Sequence, residues 1–270
     1  MITCGITGHK GNLGKKFIKI FDKIKYDKFT GDISNKKHVE KWLYKKKFDL
    51  ILHFASIVPT SIVKNNYKKA YKVNVEGTKF LVDSVIKYQK NIKWFFFAST
   101  SHVYKSSSLK IRENFPIKPV SKYGLTKFDA ENYILKKLKS KKIKHCIGRI
   151  FSIADNKGKE FLIPSLLKKF KTNKKNIEFQ DLNHYRDFIT TKQISKIIYF
   201  LWLKKISGII NIANGEKIFL KDIALYLGKK NNKNIIFKDN KKTTKIIANI
   251  DKLRKINFKT KKLKFVEFFQ

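Results

Sequence analysis

The apolar residues of this chain fall into short strand-like runs, each followed by a segment with helical periodicity. The first run opens the chain and meets Gly8, Gly11 and Gly14, after which Leu13 and Phe17 begin one apolar helix face. A strand, a glycine turn and a helix in this order point the free N–H groups of a helix N-terminus at a bound anion. Glycine is needed where a Cβ would block the turn or the approach of a phosphate. The pattern therefore predicts a dinucleotide site.

The same alternation continues to about residue 151. The predicted strands are 24–29, 50–55, 92–98 and 145–151, and the predicted helices lie around 39–43, 66–89 and 123–139. The strand at 92–98 is almost wholly apolar, as expected of a strand covered on both faces. Strands that alternate with helices predict an α/β fold with a doubly wound parallel sheet.

Beyond residue 151 the pattern becomes irregular. The predicted pieces are helices at 163–170, 192–203, 220–227 and 251–255, and short strands at 177–179, 188–189, 209–213 and 235–237. We therefore expect a small α+β substrate lobe, built from 151–187 and 207–270. The larger domain would comprise 1–150 and be completed near 188–206.

Charge distinguishes this chain from most α/β proteins. Lysine and arginine number 62 against 20 acidic residues, a net charge of +42, and only four of the 62 are arginine. Lysines spread evenly along the chain are typical of coding bias on solvated faces, whereas nucleic-acid binders concentrate arginine and stacking aromatics in a patch. Nucleic acid is therefore the less favoured partner, although affinity for anions stays open.

Localisation is predicted from what the sequence lacks. Cys4 and Cys146 fall in strand-like runs, so neither a disulfide framework nor a metal site is expected, and a reducing compartment fits. No apolar run approaches the roughly 20 residues of a membrane span, and no charged leader precedes the first strand. We expect a cytoplasmic protein without a membrane span.

Candidate chemistry lies at Tyr123 and Lys127, which project from the same face of a predicted helix. An ammonium group near a phenol stabilises the phenolate and lowers its pKa. The same spacing at 133/137 and 226/230 is expected on solvated helix faces. Context separates the first pair from these, because the strand at 92–98 ends in hydroxyl-bearing residues, and substrates bind beyond the carboxyl ends of parallel strands.

With these motifs in order, the chain resembles the extended short-chain dehydrogenase/reductases, the NAD-dependent epimerase/dehydratase group that acts on nucleotide sugars. The resemblance covers nearly all 270 residues and implies a Rossmann-type sheet. The segments that carry it are the cofactor loop at 7–14, Gly31-Asp32-Ile33, His53-Phe54-Ala55-Ser56, Asn74-Val75-Glu76-Gly77-Thr78, Thr100 with Tyr123 and Lys127, Arg186-Asp187-Phe188-Ile189, 211–216 and Asp251-Lys252-Leu253.

The resemblance implies a role for each residue. Tyr123 exchanges a proton with a sugar hydroxyl, Thr100 hydrogen-bonds the reacting oxygen, and Lys127 holds the nicotinamide ribose. His102 is either an acid/base or a hydrogen-bonded neighbour of the site. The implied cofactor-binding residues are Gly8, Lys10, Gly11, Asn12, Leu13, Gly14, Asp32, Ile33, Phe54, Ala55, Ser56, Asn74, Tyr123 and Lys127, and the implied substrate-binding residues are Ser101, Ser152 and Arg186, whose side chain would meet the substrate diphosphate.

Departures from the family pattern indicate which of the family's reactions to expect. Relatives that are 4,6-dehydratases carry Asp-Glu after the catalytic Thr, whereas Ser101-His102 stands here, which disfavours dehydration. Ser152 replaces the Asn of many 4-epimerases. The Gly-His-Lys-Gly loop at 8–11 and the short second strand resemble 4-keto-sugar reductases, in which the basic loop residue meets the 2′-phosphate of NADP. Only Asp27 offers an acid for a free 2′-hydroxyl.

We therefore expect 4-keto reduction of a nucleotide-linked sugar ahead of 4-epimerisation, and NADP ahead of NAD. Relatives commonly dimerise through two long helices, here 66–89 and 123–139, so a homodimer is expected. Two other classes stay open, a dinucleotide-binding protein without catalysis and a polyanion-binding protein.

Overall fold

The computed structural model describes residues 1–58, 60–155, 161–261 and 263–269. Its strands are β1 Thr3–Thr7, β2 Lys25–Lys28, β3 Leu50–His53, β4 Trp94–Thr100, β5 His145–Ile150, β6 Ser152–Ile153, β7 Asn176–Gln180, β8 His184–Arg186, β9 Phe188–Ile189, β10 Gly208–Ile212, β11 Ile218–Phe219, β12 Asn234–Lys238 and β13 Thr244–Ile246. Its α-helices are α1 Asn12–Ile20, α2 Lys36–Leu43, α3 Thr60–Asn65, α4 Tyr67–Tyr71, α5 Gly77–Tyr88, α6 Lys122–Ser140, α7 Leu162–Lys169, α8 Thr191–Leu203, α9 Leu220–Lys230 and α10 Asp251–Lys255.

A parallel sheet forms the centre of the molecule, and within the described residues it has six strands in the order β10-β5-β4-β3-β1-β2. From β1 the sheet extends to β2 on one side and to β3, β4, β5 and β10 on the other, as in doubly wound sheets. The predicted α/β class is therefore confirmed. Because β1, β3 and β4 run in the same direction, the loops that follow Thr7, His53 and Thr100 meet at one edge, and this edge carries the candidate chemistry.

Two apolar layers cover the sheet. On one face α1 and α8 cover Phe96 and Cys146, with Phe17 of α1 in the same cluster. The ring of Phe21, which follows α1, stacks on Tyr199 of α8 with ring centroids 4.1 Å apart. On the other face α2, α5 and α6 cover Phe95, Phe97 and Ile147. Strands β1, β3, β4 and β5 are buried on both sides, which explains their nearly continuous apolar sequence.

The C-terminal part of the chain forms a separate apolar cluster. Helices α7 and α9 pack on the parallel pair β7 and β12, and the order of the neighbouring three-stranded sheet is β11-β8-β13. Strand β10, however, pairs with β5 at the edge of the central sheet, although the sequence analysis assigned residues from 207 onward to the small lobe. Among the described residues, no helix combines the length and the apolar character needed to cross a membrane.

The helix predicted at 66–89 is interrupted. Asn66 caps α4 by accepting a hydrogen bond from the Lys69 N–H at 3.1 Å, and a π-helical turn at Lys72–Glu76 separates α4 from α5. Single π-helical turns are common at functional sites, because they change the direction in which one side chain projects. Here the turn contains Asn74, which is buried.

A buried polar network joins α6 to the carboxyl half of the sheet. Arg149 of β5 forms an ion pair with Glu131 of α6 at 2.7 Å, and their side chains are 3% and 0% exposed. Ser99 donates to the same carboxylate, and Arg149 Nη1 donates to the Tyr104 hydroxyl at 2.8 Å. Tyr104 in turn donates to Asn211 Oδ1 of β10 at 2.9 Å. These bonds tie the helix of the candidate Tyr/Lys pair to three parts of the fold.

The network gives a test of the fold. Replacing the carboxylate in Glu131→Gln leaves the Arg149 charge buried without its partner, so we expect the free energy of unfolding to fall by about 3–5 kcal/mol in urea denaturation. The matched control is Lys238→Met, which breaks an exposed ion pair with Glu178 and should cost no more than about 1 kcal/mol. Equal losses in the two variants would contradict the assignment.

Candidate functional site

The glycine loop after β1 forms a backbone cradle. Gly8 has a φ of +73°, and a Cβ built there would lie 2.5 Å from the Ala55 nitrogen. A Cβ on Gly14 would collide with the Gly8 carbonyl oxygen. Gly11 precedes α1 without a side-chain cap, and no acid lies in the first turn of this helix. The exposed N-terminus thus offers N–H groups and a partial positive charge, which fit the pyrophosphate of a dinucleotide.

A buried histidine connects this loop to the next. The Ala55 N–H donates to Thr7 Oγ1 at 3.3 Å, and Thr78 Oγ1 donates to the Asn74 carbonyl at 2.7 Å. His53 Nε2–H therefore donates to Thr78 at 2.9 Å, and Nδ1 accepts from Thr7 at 2.7 Å. Burial and the charge of nearby Lys127 lower the pKa of His53 to about 3, so the ring is neutral. Both His53 and Thr78 lie in segments that carry the family resemblance, but the bond between them could not be predicted, because a buried histidine has no local signature.

Asn74 holds the loop after β3 in place. Its Oδ1 accepts from the Ile57 N–H at 2.8 Å and from Ser56 Oγ at 3.0 Å. Its Nδ2 donates to the Ile57 carbonyl at 3.0 Å and to Thr126 Oγ1 of α6 at 3.1 Å. One amide thereby fixes the loop that carries Ser56 against the helix that carries the candidate Tyr/Lys pair.

The structure brings Tyr123, Thr100 and Ser56 together. Burial raises the pKa of the Tyr123 phenol, and the nearby hydroxyl groups of Ser56 and Thr100 partly offset this shift. Ser121 caps α6 by accepting from the Gly124 N–H at 3.0 Å. The phenol is therefore protonated at neutral pH and is oriented as a proton donor at the carboxyl edge of the sheet.

Lys127 lies one turn further along α6 and is only 2% exposed. Its Nζ lies 4.0 Å from the centroid of the Phe97 ring, a cation–π contact. Burial lowers the pKa of this ammonium group to about 7, and the charge of Glu131 opposes the shift. Within the described residues, no carboxylate lies at ion-pair distance from Nζ. The charge is thus available to the phenol and to a bound ligand.

His102 borders the same site. Its ring centroid is 5.8 Å from that of Tyr123, and Nδ1 lies 3.2 Å from Ser121 Oγ. Either group can be the donor in this contact, because the Ser121 hydroxyl, which already accepts from the Gly124 N–H, has a proton and a second lone pair. Burial and the charge of Arg186 lower the pKa of His102 to about 4. A neutral histidine can donate a hydrogen bond here, and the assignment of an acid/base role stays a prediction.

Arg186 supplies a cation to the site without an anionic partner. Its Nη1 donates to the carbonyls of Tyr185 at 2.8 Å and Thr244 at 3.2 Å, and to Thr244 Oγ1 at 3.0 Å. Burial lowers the pKa of the guanidinium to about 10. The adjacent Asp187 carboxylate accepts instead from backbone N–H groups of Asn214, Gly215 and Ala248. Among the described residues, no carboxylate is within 4 Å of the guanidinium nitrogens.

The remaining predicted site residues occupy varied positions. Asp32 and Lys10 are exposed; Ile33 and Ser101 are buried; Leu13 and Phe54 pack against the core beside α1; Asn12 begins α1; Ser152 lies in β6 with its N–H donating to the Asp187 carbonyl. Asp32 accepts from the N–H and hydroxyl of Ser34, and these bonds lower the pKa of its carboxyl.

The Asp27 carboxylate is bound by two other side chains of the protein. Its Oδ1 accepts from Trp42 Nε1 at 2.6 Å, and its Oδ2 forms an ion pair with Lys46 at 2.6 Å. Both partners belong to α2 or the segment that follows it. On the other side, Lys10 and Lys28 lie close enough to His9 for their charges to lower the pKa of its imidazole, after the larger effect of burial. The edge of the cradle is thus basic.

Comparison with known proteins places these features in a family. The family profile described as GDP-mannose 4,6 dehydratase matches residues 9–267. The GDP-6-deoxy-D-talose 4-dehydrogenase of Aggregatibacter actinomycetemcomitans is 30% identical over 220 residues, which cover 78% of this chain and 74% of the relative. The UDP-glucose 4-epimerase of Lactobacillus helveticus is 29% identical over 186 residues, covering 62% and 55%.

Solved structures share the fold. The structure of RMD from Pseudomonas aeruginosa complexed with NADPH superposes with a TM-score of 0.87 over 99% of this chain and 95% of that one, at 14% identity. At this identity the likeness concerns the fold alone.

The burial of Lys127 predicts a pH-dependent cost to stability. Its pKa is about 7 in the folded protein and about 10.4 in the unfolded chain. The charged form is therefore disfavoured on folding at pH 6. This cost fades as the pH rises toward 10, because the folded protein then holds a neutral amine and the unfolded chain pays little to lose its proton. We expect Lys127→Met to raise the free energy of unfolding by about 2–4 kcal/mol at pH 6, with the gain shrinking toward pH 10.

Urea denaturation at pH 6, 8 and 10 measures this dependence. Lys136→Met, on an exposed position of the same helix, is the control and should change little at any pH. A Lys127→Met protein that is destabilised at pH 6, or whose gain does not vary with pH, would contradict the burial of a charge.

Proposed function

Because the chain belongs to the extended short-chain dehydrogenase/reductases, in the NAD-dependent epimerase/dehydratase family, we propose that it is an NADPH-dependent reductase of a nucleotide-linked 4-keto sugar. The observation that carries this proposal is the arrangement around Tyr123. The protonated phenol has the hydroxyl groups of Ser56 and Thr100 beside it, and Ala55, next to Ser56, borders the glycine cradle. On another side of the phenol is His102, whose pKa is lowered by burial and by the charge of Arg186.

Each residue then has a chemical task. The nicotinamide cofactor supplies the hydride that adds to the carbonyl carbon. Tyr123 donates its proton to the carbonyl oxygen, and Thr100 donates a hydrogen bond to the same oxygen as negative charge develops there. Lys127 stabilises the phenolate that remains. Arg186 binds the substrate diphosphate, because no carboxylate of the described residues neutralises the charge of its guanidinium.

Dehydration is disfavoured by the residues that flank this site. Elimination of water requires a carboxyl pair to move protons, and Ser101 and His102 occupy those positions. The family profile carries the name of a dehydratase, but that name describes other members. Reduction needs only a hydride and a single proton, and the buried phenol provides the proton.

Cofactor choice favours reduction over epimerisation. The Asp27 carboxylate already has Trp42 and Lys46 as partners, which disfavours its use for a ribose 2′-hydroxyl, while Lys10 and Lys28 both act by their charge on His9 of the glycine loop. Two ammonium groups suit the 2′-phosphate of NADPH. An enzyme that consumes NADPH in each cycle is a reductase, whereas an epimerase restores its cofactor within the cycle.

The alternative is a nucleotide-sugar 4-epimerase, and the L. helveticus relative carries that name. The same Tyr/Lys/Thr arrangement can remove and return hydride at one carbon. The two functions differ in a measurable way, since only reduction oxidises NADPH in proportion to product.

Turnover with a substrate panel tests the proposal. We expect net NADPH oxidation with one of the GDP-, UDP- or dTDP-linked 4-keto-6-deoxy sugars, followed by absorbance at the nicotinamide band. Tyr123→Phe should reduce kcat by about 100-fold or more, because it removes the proton donor. Tyr133→Phe, at the second Tyr-x-x-x-Lys pair of α6, is the matched control and should retain activity.

Conversion of a UDP-hexose to its epimer without NADPH oxidation would replace the reductase by the epimerase. Tight dinucleotide binding that is accompanied by no turnover on either set of sugars would contradict both enzymatic functions.

The basic edge of the cradle predicts cofactor preference. We expect Lys10→Met and Lys28→Met each to raise the Kd for NADPH by about tenfold and to leave the Kd for NADH unchanged, because each removes one cation from the 2′-phosphate. Binding is measured by nicotinamide fluorescence, with Lys19→Met, on an exposed part of α1, as the control. Equal Kd values of the wild type for NADPH and NADH would contradict the preference.

A further inference from the structure

The Arg186 guanidinium is held by neutral groups at a single nitrogen. Nη1 donates to the Tyr185 carbonyl at 2.8 Å, the Thr244 carbonyl at 3.2 Å and Thr244 Oγ1 at 3.0 Å. Within the described part of the chain, neither Nε nor Nη2 donates a hydrogen bond to another residue. The side chain is thus fixed at one end, and its other donors remain for a ligand.

Thr244 is itself oriented by His184. The two residues face each other in the parallel pair of β13 and β8, and the Thr244 N–H donates to His184 Nδ1 at 3.1 Å. Nδ1 therefore carries a lone pair, and Thr244 Oγ1 lies 3.1 Å from the same nitrogen. The hydroxyl proton is directed to His184, which leaves the oxygen lone pairs facing Arg186.

From this arrangement we propose that Thr244, oriented by His184, is a positioning residue that holds Arg186 in the orientation needed to bind the diphosphate of the substrate. The inference rests on the proposed function. Thr244 touches neither the reacting carbon nor the dinucleotide cradle, so it acts through Arg186 on substrate affinity and leaves the chemical step alone.

The physical reason is the entropy of a long side chain. A guanidinium on a flexible stem loses rotamer freedom when it binds a ligand. Contacts that immobilise it beforehand remove part of that cost. A carboxylate would immobilise it equally well, but would compete with the diphosphate for the same charge. A hydroxyl and two carbonyls orient the cation without neutralising it.

Nucleoside diphosphate binding tests the role directly. GDP, UDP and dTDP are the probes in isothermal titration calorimetry, which needs no turnover. With the probe that binds the wild type most tightly, we expect Thr244→Val to raise Kd by about tenfold, while Thr244→Ser, which keeps the hydroxyl, stays within about twofold. Thr243→Val makes the same change at the exposed neighbouring position and should leave Kd unchanged.

A double-mutant cycle tests whether Thr244 acts through Arg186. If Thr244 acts through Arg186, Thr244→Val has no further effect on Kd in an Arg186→Gln protein. With the sugar substrate, KM should rise and kcat should stay near the wild-type value. NADPH affinity should be unchanged in every variant, which reports that the large domain is intact.

The possible results distinguish failure of the positioning role from failure of the proposed diphosphate site on which it rests. Wild-type binding by Thr244→Val, together with weak binding by Arg186→Gln, would overturn the positioning role and retain the diphosphate site. An equal loss from Thr244→Val in the presence and absence of Arg186 would show a merely structural role and would also overturn it. Binding of no nucleoside diphosphate by the wild type, or wild-type binding by Arg186→Gln, would overturn the diphosphate site and this inference together.

Discussion

The side-chain amide of Asn74 is the contact on which the site depends. The chain leaves the sheet after β3, and the polar backbone groups of the loop that follows have no strand partner. Asn74 satisfies both the N–H and the carbonyl of Ile57, accepts from Ser56, and donates to Thr126 of α6. Buried backbone groups without partners are costly, so this one amide determines where the loop lies. Ser56 is thereby held beside the Tyr123 hydroxyl, where it lowers the pKa of the phenol against the larger, opposite effect of burial.

The site also holds one buried cation, Lys127, and one half-buried cation, Arg186, without carboxylate partners. Lys127 rests on the face of Phe97, and Arg186 is held by carbonyls and a hydroxyl. Such placement costs stability, because a desolvated charge is poorly solvated by neutral groups. The same chain pairs Arg149 with Glu131 in its interior. The contrast shows that the fold can bury a carboxylate beside a cation, and it leaves Lys127 and Arg186 without one at the site where we propose that anionic ligands bind.

Much of the fold could be predicted because its signals are local. The strand, glycine turn and helix at the start of the chain follow from apolar spacing, and the shared face of Tyr123 and Lys127 follows from helix geometry. The break in the helix predicted at 66–89 could not be predicted, because the π turn is favoured by tertiary bonds of Asn74.

Other features depend on residues far apart in sequence. β10 joins the central sheet through pairing with β5, which short apolar spacing does not reveal. The Asp27 carboxylate accepts hydrogen bonds from Trp42 and Lys46, and Thr244 contacts Arg186, which is 58 residues away in the sequence. None of these partners has a fixed spacing that a motif could record. The candidate residues could be identified from the chain, whereas the contacts that orient them could not.

The proposed reductase transfers hydride from NADPH to the carbonyl carbon of a nucleotide-linked 4-keto sugar. Turnover with NADPH deuterated at the transferable C4 position of the nicotinamide, with the product analysed by NMR and mass spectrometry, tests this transfer. We expect one deuterium per product molecule, bound at C4 of the sugar. A product without deuterium, or a sugar epimerised while the labelled NADPH stays unoxidised, would rule it out.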